Sequence, residues 1–309
     1  MIRSESKGYH MKIAISGATG LIGSTLKDFF VKNGHQVSTI SRHRGFFKKT
    51  SNIFWDLKKN YIDIKVLEGH DVIIHLAGAN ISAQNWSAAY KKEILDSRIK
   101  STKFLVQTIQ KMNNRPKIFL CASAIGYYGG QEPEVVVDEK FPAGHGFLAQ
   151  VCQQWENASE DSVLYGVRLV HMRFGIVLSK KGGALAKMLP PFRLGLGGCL
   201  GTGRQKMSWV AIDEIPLIVN FIISHEGIGG PINTVSPQPV TNAEFTKILG
   251  SVIHRPTIFS VPAGMIKLIF GQMGQELLLE GVHVKPLVLL NTGYNFQYPD
   301  LTTALKHIL

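Results

Sequence analysis

The sequence predicts an α/β protein: a doubly wound parallel sheet with a smaller C-terminal α/β lobe. Three observations predict it. A short apolar, β-branched run (Ile13, Ala14, Ile15) breaks at Gly17, Gly20 and Gly23, spaced G-x-x-G-x-x-G. Leu21, Ile22, Leu26, Phe29 and Phe30 then recur at helical spacing, so the segment reads as strand, tight turn, helix. Apolar strands and amphipathic helices go on alternating as far as Phe174, the pattern of a parallel sheet covered on both faces.

In order, the opening unit is followed by strands at 36–41, 52–55 and 71–76, a long helix over 87–112, and a strand at 117–122. A helix over 147–160 leads into a strand at 166–174. From Gly175 the texture changes: Gly182–Gly183, Pro190–Pro191 and the run from Gly195 to Gly203 read as a glycine-rich, loop-dominated region. A helix over 213–224 and a strand near 232–235 read as a return to the first domain, and helices near 242–253, 263–270 and 301–308 complete the lobe. The expected division is residues 11–175 with a return segment 207–236, and a lobe made of 176–206 and 237–309. Residues 1–10 read as a disordered extension, with Met11 as the functional start.

Composition narrows the function. The 309 residues are 45% apolar with a net charge of +12, as in a soluble globular protein, and no apolar run is long enough to span a bilayer. The polar start lacks the apolar block of a signal peptide. Cys121, Cys152 and Cys199 are odd in number and scattered, which fits a reducing cytoplasm and no metal site or disulfide framework. The positive charge is spread over pairs such as Lys48–Lys49, Lys91–Lys92 and Lys180–Lys181, with no nucleic-acid motif beside it. Such a surface suits a polyphosphate ligand better than nucleic acid, and no membrane partner is expected.

The glycine turn carries the functional reading. Glycines let the backbone turn sharply and approach a diphosphate closely, and the following helix start offers free N–H groups to that anion. Gly17, Thr19, Gly20, Leu21, Ile22 and Gly23 are therefore the expected dinucleotide contacts. The residue closing the second strand inspects the adenosine ribose, where an acid suits free hydroxyls and a base suits a 2′-phosphate. Here Ser41-Arg42 stand without an acid, which points to NADP(H) over NAD(H). Asp56 is placed to bond the adenine amino group, and Leu76, Ala77 and Gly78 let the fourth strand's end approach the cofactor. His75 reads as a packed histidine. No Gly-Lys-Ser/Thr follows the turn, which argues against nucleotide hydrolysis.

These residues resemble the extended short-chain dehydrogenase/reductase superfamily, in particular an epimerase-like branch of NADP-binding proteins. The resemblance runs from Met11 to the C-terminus. Its carriers are 16–23, Asp71-Val-Ile-Ile-His-Leu-Ala-Gly78, Ser97-Arg98 and Ser123-Ala-Ile-Gly-Tyr-Tyr-Gly129. Further carriers are 188–198, 201–205, Trp209, Asp213 and Gly230-Pro-Ile-Asn233. It implies a Rossmann-type domain, an NADP cofactor and a small C-terminal domain.

Most of that superfamily uses a Tyr-x-x-x-Lys pair on the helix after the fifth strand, with a serine at the strand's end. The lysine's charge favours the phenolate, so the tyrosine can exchange a proton with a substrate oxygen. Ser123 fits the serine, but the pair is missing: the lysine position falls on Cys152 and the tyrosine position on Leu148. Tyr61-Ile-Asp-Ile-Lys65 lies between the third and fourth strands, the wrong place for this chemistry.

Two readings follow. In one, Tyr127 or Tyr128 supplies the proton while Ser123 polarises the substrate oxygen; the competing role for these rings is packing. In the other, the protein binds NADP(H) without turnover, as a redox sensor or regulator. Arg193, Arg204 and Trp209 around the glycine-rich loop suit a phosphorylated or nucleotide-linked substrate, with loop scaffolding as the alternative. Monomer and homodimer both remain open.

Overall fold

The computed structural model describes residues 10–43 and 51–309. The expected extension apart from His10, and the Lys48–Lys49 pair, lie outside the described residues.

Eight strands form one sheet: β1 (Lys12–Ser16), β2 (Gln36–Ser41), β3 (Ser51–Asp56), β4 (Tyr61–Ile62), β5 (Val72–His75), β6 (Ile118–Ala124), β7 (Arg168–Phe174) and β8 (Gly230–Thr234). Their order is β8-β7-β6-β5-β1-β2-β3-β4, all parallel except the β3–β4 pair. Ser16 at the end of β1 stands in register with Ile40 on one side and His75 on the other. The strand order reverses about β1, and a ligand crevice opens at the carboxyl ends of strands at such a reversal.

The strands are buried on both faces, so they read as continuous apolar runs. Ile13, Ile73, Phe119, Val170 and Ile232 sit in one continuous core with the covering helices. The helix Ala88–Lys111 is started by Ser87, whose side chain accepts from the Tyr90 N–H. The helix Glu214–Ser224 returns to this core through Ile215, Ile218, Val219 and Ile222. Arg168 fastens it to β7 by donating to the carbonyls of Ile222, Ile223, His225 and Ile228.

A second apolar cluster gathers Leu185, Leu189, Phe192, Trp209, Phe245 and Leu305. It corrects one expectation: the region after Gly175 holds a helix, Gly183–Arg193, that runs through Pro190 and Pro191. Leu185, Leu189 and Phe192 share one face and bury it, which outweighs the two missing donors. The prolines lie near the helix end, where their carbonyls still accept from the N–H groups of Leu194 and Leu196. Part of the glycine run is also ordered, with Gly198–Leu200 pairing parallel to Phe259–Val261. The helix expected over 147–160 stops at Asn157, and a 3₁₀ turn follows over Glu160–Tyr165. Among the described residues no helix is long and apolar enough to cross a membrane.

Candidate functional site

The turn after β1 is built around Gly17, whose φ is +70°. A Cβ there would also lie 2.9 Å from the carbonyl carbon and oxygen of Leu76, so both backbone and space demand glycine. At Gly23 a Cβ would stand 2.2 Å from the Gly17 carbonyl oxygen, which lets the helix start press onto the turn. Gly20 opens the helix Leu21–Lys32 with no side chain capping it. The first-turn N–H groups have no partner within the helix and face the turn's open side, where Thr19 and Gly20 are exposed. Such a turn suits a diphosphate, and the residues present fit a dinucleotide cofactor.

The residues expected at the adenosine end of the crevice lie at the ends of β2 and β3. Ser41 is half-buried and its hydroxyl accepts from the His43 N–H at 3.1 Å. Arg42 is exposed and has no carboxylate partner among the described residues. Asp56 ends β3, but its Oδ1 accepts from the N–H groups of Lys58 (3.0 Å) and Lys59 (3.3 Å) and so closes its own turn. On the other side of β1, the Leu76 N–H donates to the Ser16 carbonyl (3.2 Å) and hydroxyl (3.2 Å), which holds 76–78 against the glycine turn. His75 is fully buried between the hydroxyls of Ser16 (2.6 Å) and Ser101 (3.1 Å). Burial, and then the charge of Arg98, push it down to about 3, so it is a neutral packed ring.

At the end of β6 the structure places a buried polar network that the sequence did not disclose. Ser123 donates to Glu156 Oε1 at 2.6 Å. Arg173 on β7 grips both oxygens of the same carboxylate, at 2.9 Å from Nε and 2.8 Å from Nη2. Its Nη1 donates to the Tyr128 hydroxyl at 2.9 Å, and that hydroxyl donates to Asn233 Oδ1 at 2.7 Å. Burial works against the Arg173 charge, but Glu156 more than offsets it and holds the guanidinium protonated. Glu139 supports the far side by accepting from the N–H groups of Asn233, Leu287 and Val288.

The side-chain placements revise three expectations. Tyr128 is fully buried, its hydroxyl is committed on both sides, and burial pushes it up to about 12. It packs the wall of the site and is out of reach as a proton donor. Trp209 is likewise fully buried in the second core, with its indole N–H on the Gln238 carbonyl at 3.0 Å, so it touches no substrate. Ser123 gives its proton to Glu156, which leaves its oxygen free only to accept. Tyr127 differs from its neighbour: it is half-buried, with the Arg173 guanidinium carbon 3.5 Å from its ring centroid. Its hydroxyl has no protein partner among the described residues.

The remaining residues lie apart. Arg204 is exposed and reaches Glu134 at 3.4 Å, which ties the glycine-rich loop to the segment after the tyrosines. Arg193 ends its helix on the exposed surface, where its carbonyl accepts from Arg255. Neither contacts Ser123 or Tyr127 in the network above. Leu148 and Cys152 both face Gly126, and burial pushes the Cys152 thiol up to about 11, which excludes a resting thiolate. Glu156, Arg173 and Arg98 went unnoticed as site residues; the one signal available for Glu156 was an acid inside an otherwise apolar helix face.

Residues 13–233 match the NAD dependent epimerase/dehydratase family, and residues 261–308 match a domain of unknown function. The chain belongs to the NAD-dependent epimerase/dehydratase family. An epimerase family protein of Mycobacterium leprae is 36% identical over 295 residues, covering 96% of this chain and 94% of its own. The human epimerase family protein SDR39U1 is 34% identical over 307 residues, covering 97% of this chain and all of its own. A crystal structure of human SDR39U1 (isoform 2) with NADPH superimposes with a TM-score of 0.87 at 32% identity, covering 96% of this chain and 99% of that one. A nucleoside-diphosphate sugar epimerase from Corynebacterium glutamicum gives 0.78 at 32% identity, with 97% of this chain matched to 58% of that one. The family membership, the Rossmann-type sheet and the extended short-chain dehydrogenase/reductase assignment therefore stand.

Proposed function

We propose that this protein is an NADP(H)-dependent oxidoreductase or epimerase of the extended short-chain type, acting on a carbonyl or carbinol carbon of a small substrate. The observation that carries the reading is the pairing of an uncapped glycine turn at β1 with an exposed Arg42 just after β2 that has no carboxylate partner among the described residues. The first suits a diphosphate and the second a ribose 2′-phosphate. The NADPH in the human SDR39U1 crystal structure supports the same coenzyme here.

Gly17, Thr19, Gly20, Leu21, Ile22 and Gly23 would hold the diphosphate, Ser41 and Arg42 the 2′-phosphate, Asp56 the adenine, and Leu76, Ala77 and Gly78 the middle of the dinucleotide. When bound, the nicotinamide supplies or accepts the hydride. Tyr127 is the proton donor in this reading, because its hydroxyl has no protein partner among the described residues, whereas that of Tyr128 is bonded on both sides. Ser123, with its proton on Glu156, accepts a hydrogen bond from a substrate hydroxyl and orients it. The substrate is phosphorylated or nucleotide-linked, with the exposed Arg193 and Arg204 as the cations offered to it; the name of the Corynebacterium relative supports that class. The division into a nucleotide domain and a lobe of 176–206 and 237–309, and a cytoplasmic site of action, complete the reading.

A second reading is favoured by one feature: Leu148 and Cys152 occupy the positions of the usual Tyr-x-x-x-Lys pair. On that ground the protein would be a silent NADP(H)-binding regulator. The absorbance of NADPH at 340 nm, followed with a panel of keto-sugar nucleotides and small carbonyls, separates the two. Oxidation that disappears in Tyr127→Phe supports the enzyme. NADPH that binds and stays reduced across the panel supports the regulator.

A further inference from the structure

Arg98 projects from the helix Ala88–Lys111 to the end of β5. Its guanidinium carbon lies 3.1 Å, and Nη1 3.3 Å, from where a side chain on Gly78 would begin. Nη1 donates to the Ile94 carbonyl at 2.9 Å, and the guanidinium carbon stands 5.0 Å from the centre of the Trp155 ring. Among the described residues no carboxylate pairs with it. The residue is half-buried, and that burial lowers the guanidinium's proton affinity. Burial keeps the nearby Cys152 thiol and His75 ring neutral, so neither supplies a countercharge. A half-buried guanidinium beside the end of β5, with no carboxylate partner among the described residues, keeps donors that a ligand there would complete.

The strand order says which part of a dinucleotide comes there. The glycine turn follows β1, the 2′-phosphate side lies towards β2, and Gly78 follows β5 on the opposite side. That side receives the nicotinamide half. Cys152, on the neighbouring helix, carries no charge of its own.

We infer that Arg98 is the cation of the nicotinamide half-site and that it biases the protein toward the reduced coenzyme. The inference rests on the NADP(H) reading above. An oxidised nicotinamide ring is positively charged and a reduced one is neutral, so a fixed guanidinium beside it disfavours the oxidised form. The ribose hydroxyls and carboxamide oxygen of that half supply the acceptors its free N–H groups lack. A side chain on Gly78 would crowd the guanidinium at 3.1–3.3 Å and push it back by a few tenths of an ångström.

The test is calorimetric titration of the full chain and its Arg98→Met, Arg98→Gln and Arg98→Lys variants. The ligands are NADPH, NADP+ and 2′-phospho-ADP-ribose, which has both phosphate groups but no nicotinamide. The wild type is expected to prefer NADPH to NADP+. Arg98→Met and Arg98→Gln should shrink that preference about tenfold, the order that one charge exerts on another across a protein interior. Affinity for 2′-phospho-ADP-ribose should stay within about twofold of wild type, and Arg98→Lys should recover most of the preference. Two neutral variants are used so that one failing to fold, judged by circular dichroism, leaves the other. An unchanged NADPH:NADP+ ratio overturns the inference. Equal weakening of all three ligands also overturns it, because Arg98 would then be a diphosphate ligand. Failure of the wild type to bind 2′-phospho-ADP-ribose would instead remove the coenzyme reading itself.

Discussion

Arg173 and Glu156 form a two-pronged ion pair, at 2.9 and 2.8 Å, buried directly behind Ser123. The pair links β7 to the helix Phe147–Asn157 and thereby fixes the Ser123 hydroxyl at the carboxyl end of β6. Such a pair adds little net stability over an apolar substitute, but breaking it leaves a buried charge unanswered.

Glu156→Gln should therefore destabilise the fold by about 3–5 kcal/mol, because Arg173 would lose its counterion inside the protein. Urea unfolding followed by Trp fluorescence measures this. A loss below about 1 kcal/mol would show that the pair is more open to water than its burial indicates.

The adjacent tyrosines should separate stability from turnover. Tyr128→Phe removes a hydroxyl that bridges Arg173 and Asn233, so it should cost about 1–3 kcal/mol in unfolding free energy. Tyr127→Phe removes a hydroxyl with no protein partner among the described residues and should leave the unfolding free energy within about 0.5 kcal/mol of wild type. It should nevertheless abolish NADPH oxidation with any substrate that the wild type turns over. The reverse pattern would exchange the roles of the two rings.

The sequence disclosed the parts whose physics is local. The β1 turn was legible because an apolar run, three glycines and a helical period lie within one short segment. The helix Leu301–Ile308 was legible in the same way. Gly183–Arg193 was hidden because glycines and a double proline argue against a helix locally, while the burial of Leu185, Leu189 and Phe192 is decided by distant Trp209 and Phe245. The site was less legible than the fold for the same reason. Glu156 and Arg173 come from different elements, and Tyr128 meets Asn233 across more than a hundred residues. No spacing rule connects them, and none distinguishes an accessible Tyr127 from a buried Tyr128.

Arg42 tests the coenzyme choice. It is exposed and free of any carboxylate among the described residues, so Arg42→Ala should not affect folding. It should weaken NADPH by about 1.5–3 kcal/mol, roughly ten- to hundredfold, through loss of a charge-assisted hydrogen bond. NADH, without the 2′-phosphate, should be affected less than about threefold. Paired titrations of both coenzymes would measure the difference; equal weakening would place the arginine elsewhere than on the 2′-phosphate.

Gly17→Ala should fail differently. The added methyl meets the Leu76 backbone at 2.9 Å in a conformation with φ +70°, so the turn or the end of β5 must shift. A stability loss of about 1–3 kcal/mol is expected, together with loss of detectable NADPH binding. An alanine variant that binds NADPH normally would show that the turn does not hold the diphosphate.

His75 gives the fold a pH dependence whose sign can be worked out. Its folded-state value, about 3, lies below the ordinary 6.5, so the unfolded chain takes up a proton that the folded one refuses. The stability it contributes is complete above about pH 6.5 and is lost as pH falls toward about 3, at no more than about 1.4 kcal/mol per pH unit. His75→Gln keeps a hydrogen-bonding group between Ser16 and Ser101 but cannot titrate there. Its thermal midpoint should start lower at pH 7 and fall less between pH 6.5 and pH 4 than that of wild type. Glu139 and Glu160, pushed up mainly by burial, act in the opposite sense, while His70 and His171, pushed down by burial, add to the loss. The difference between variant and wild type, rather than either slope alone, is therefore the measurement. Parallel curves would mean that His75 meets water in the folded protein.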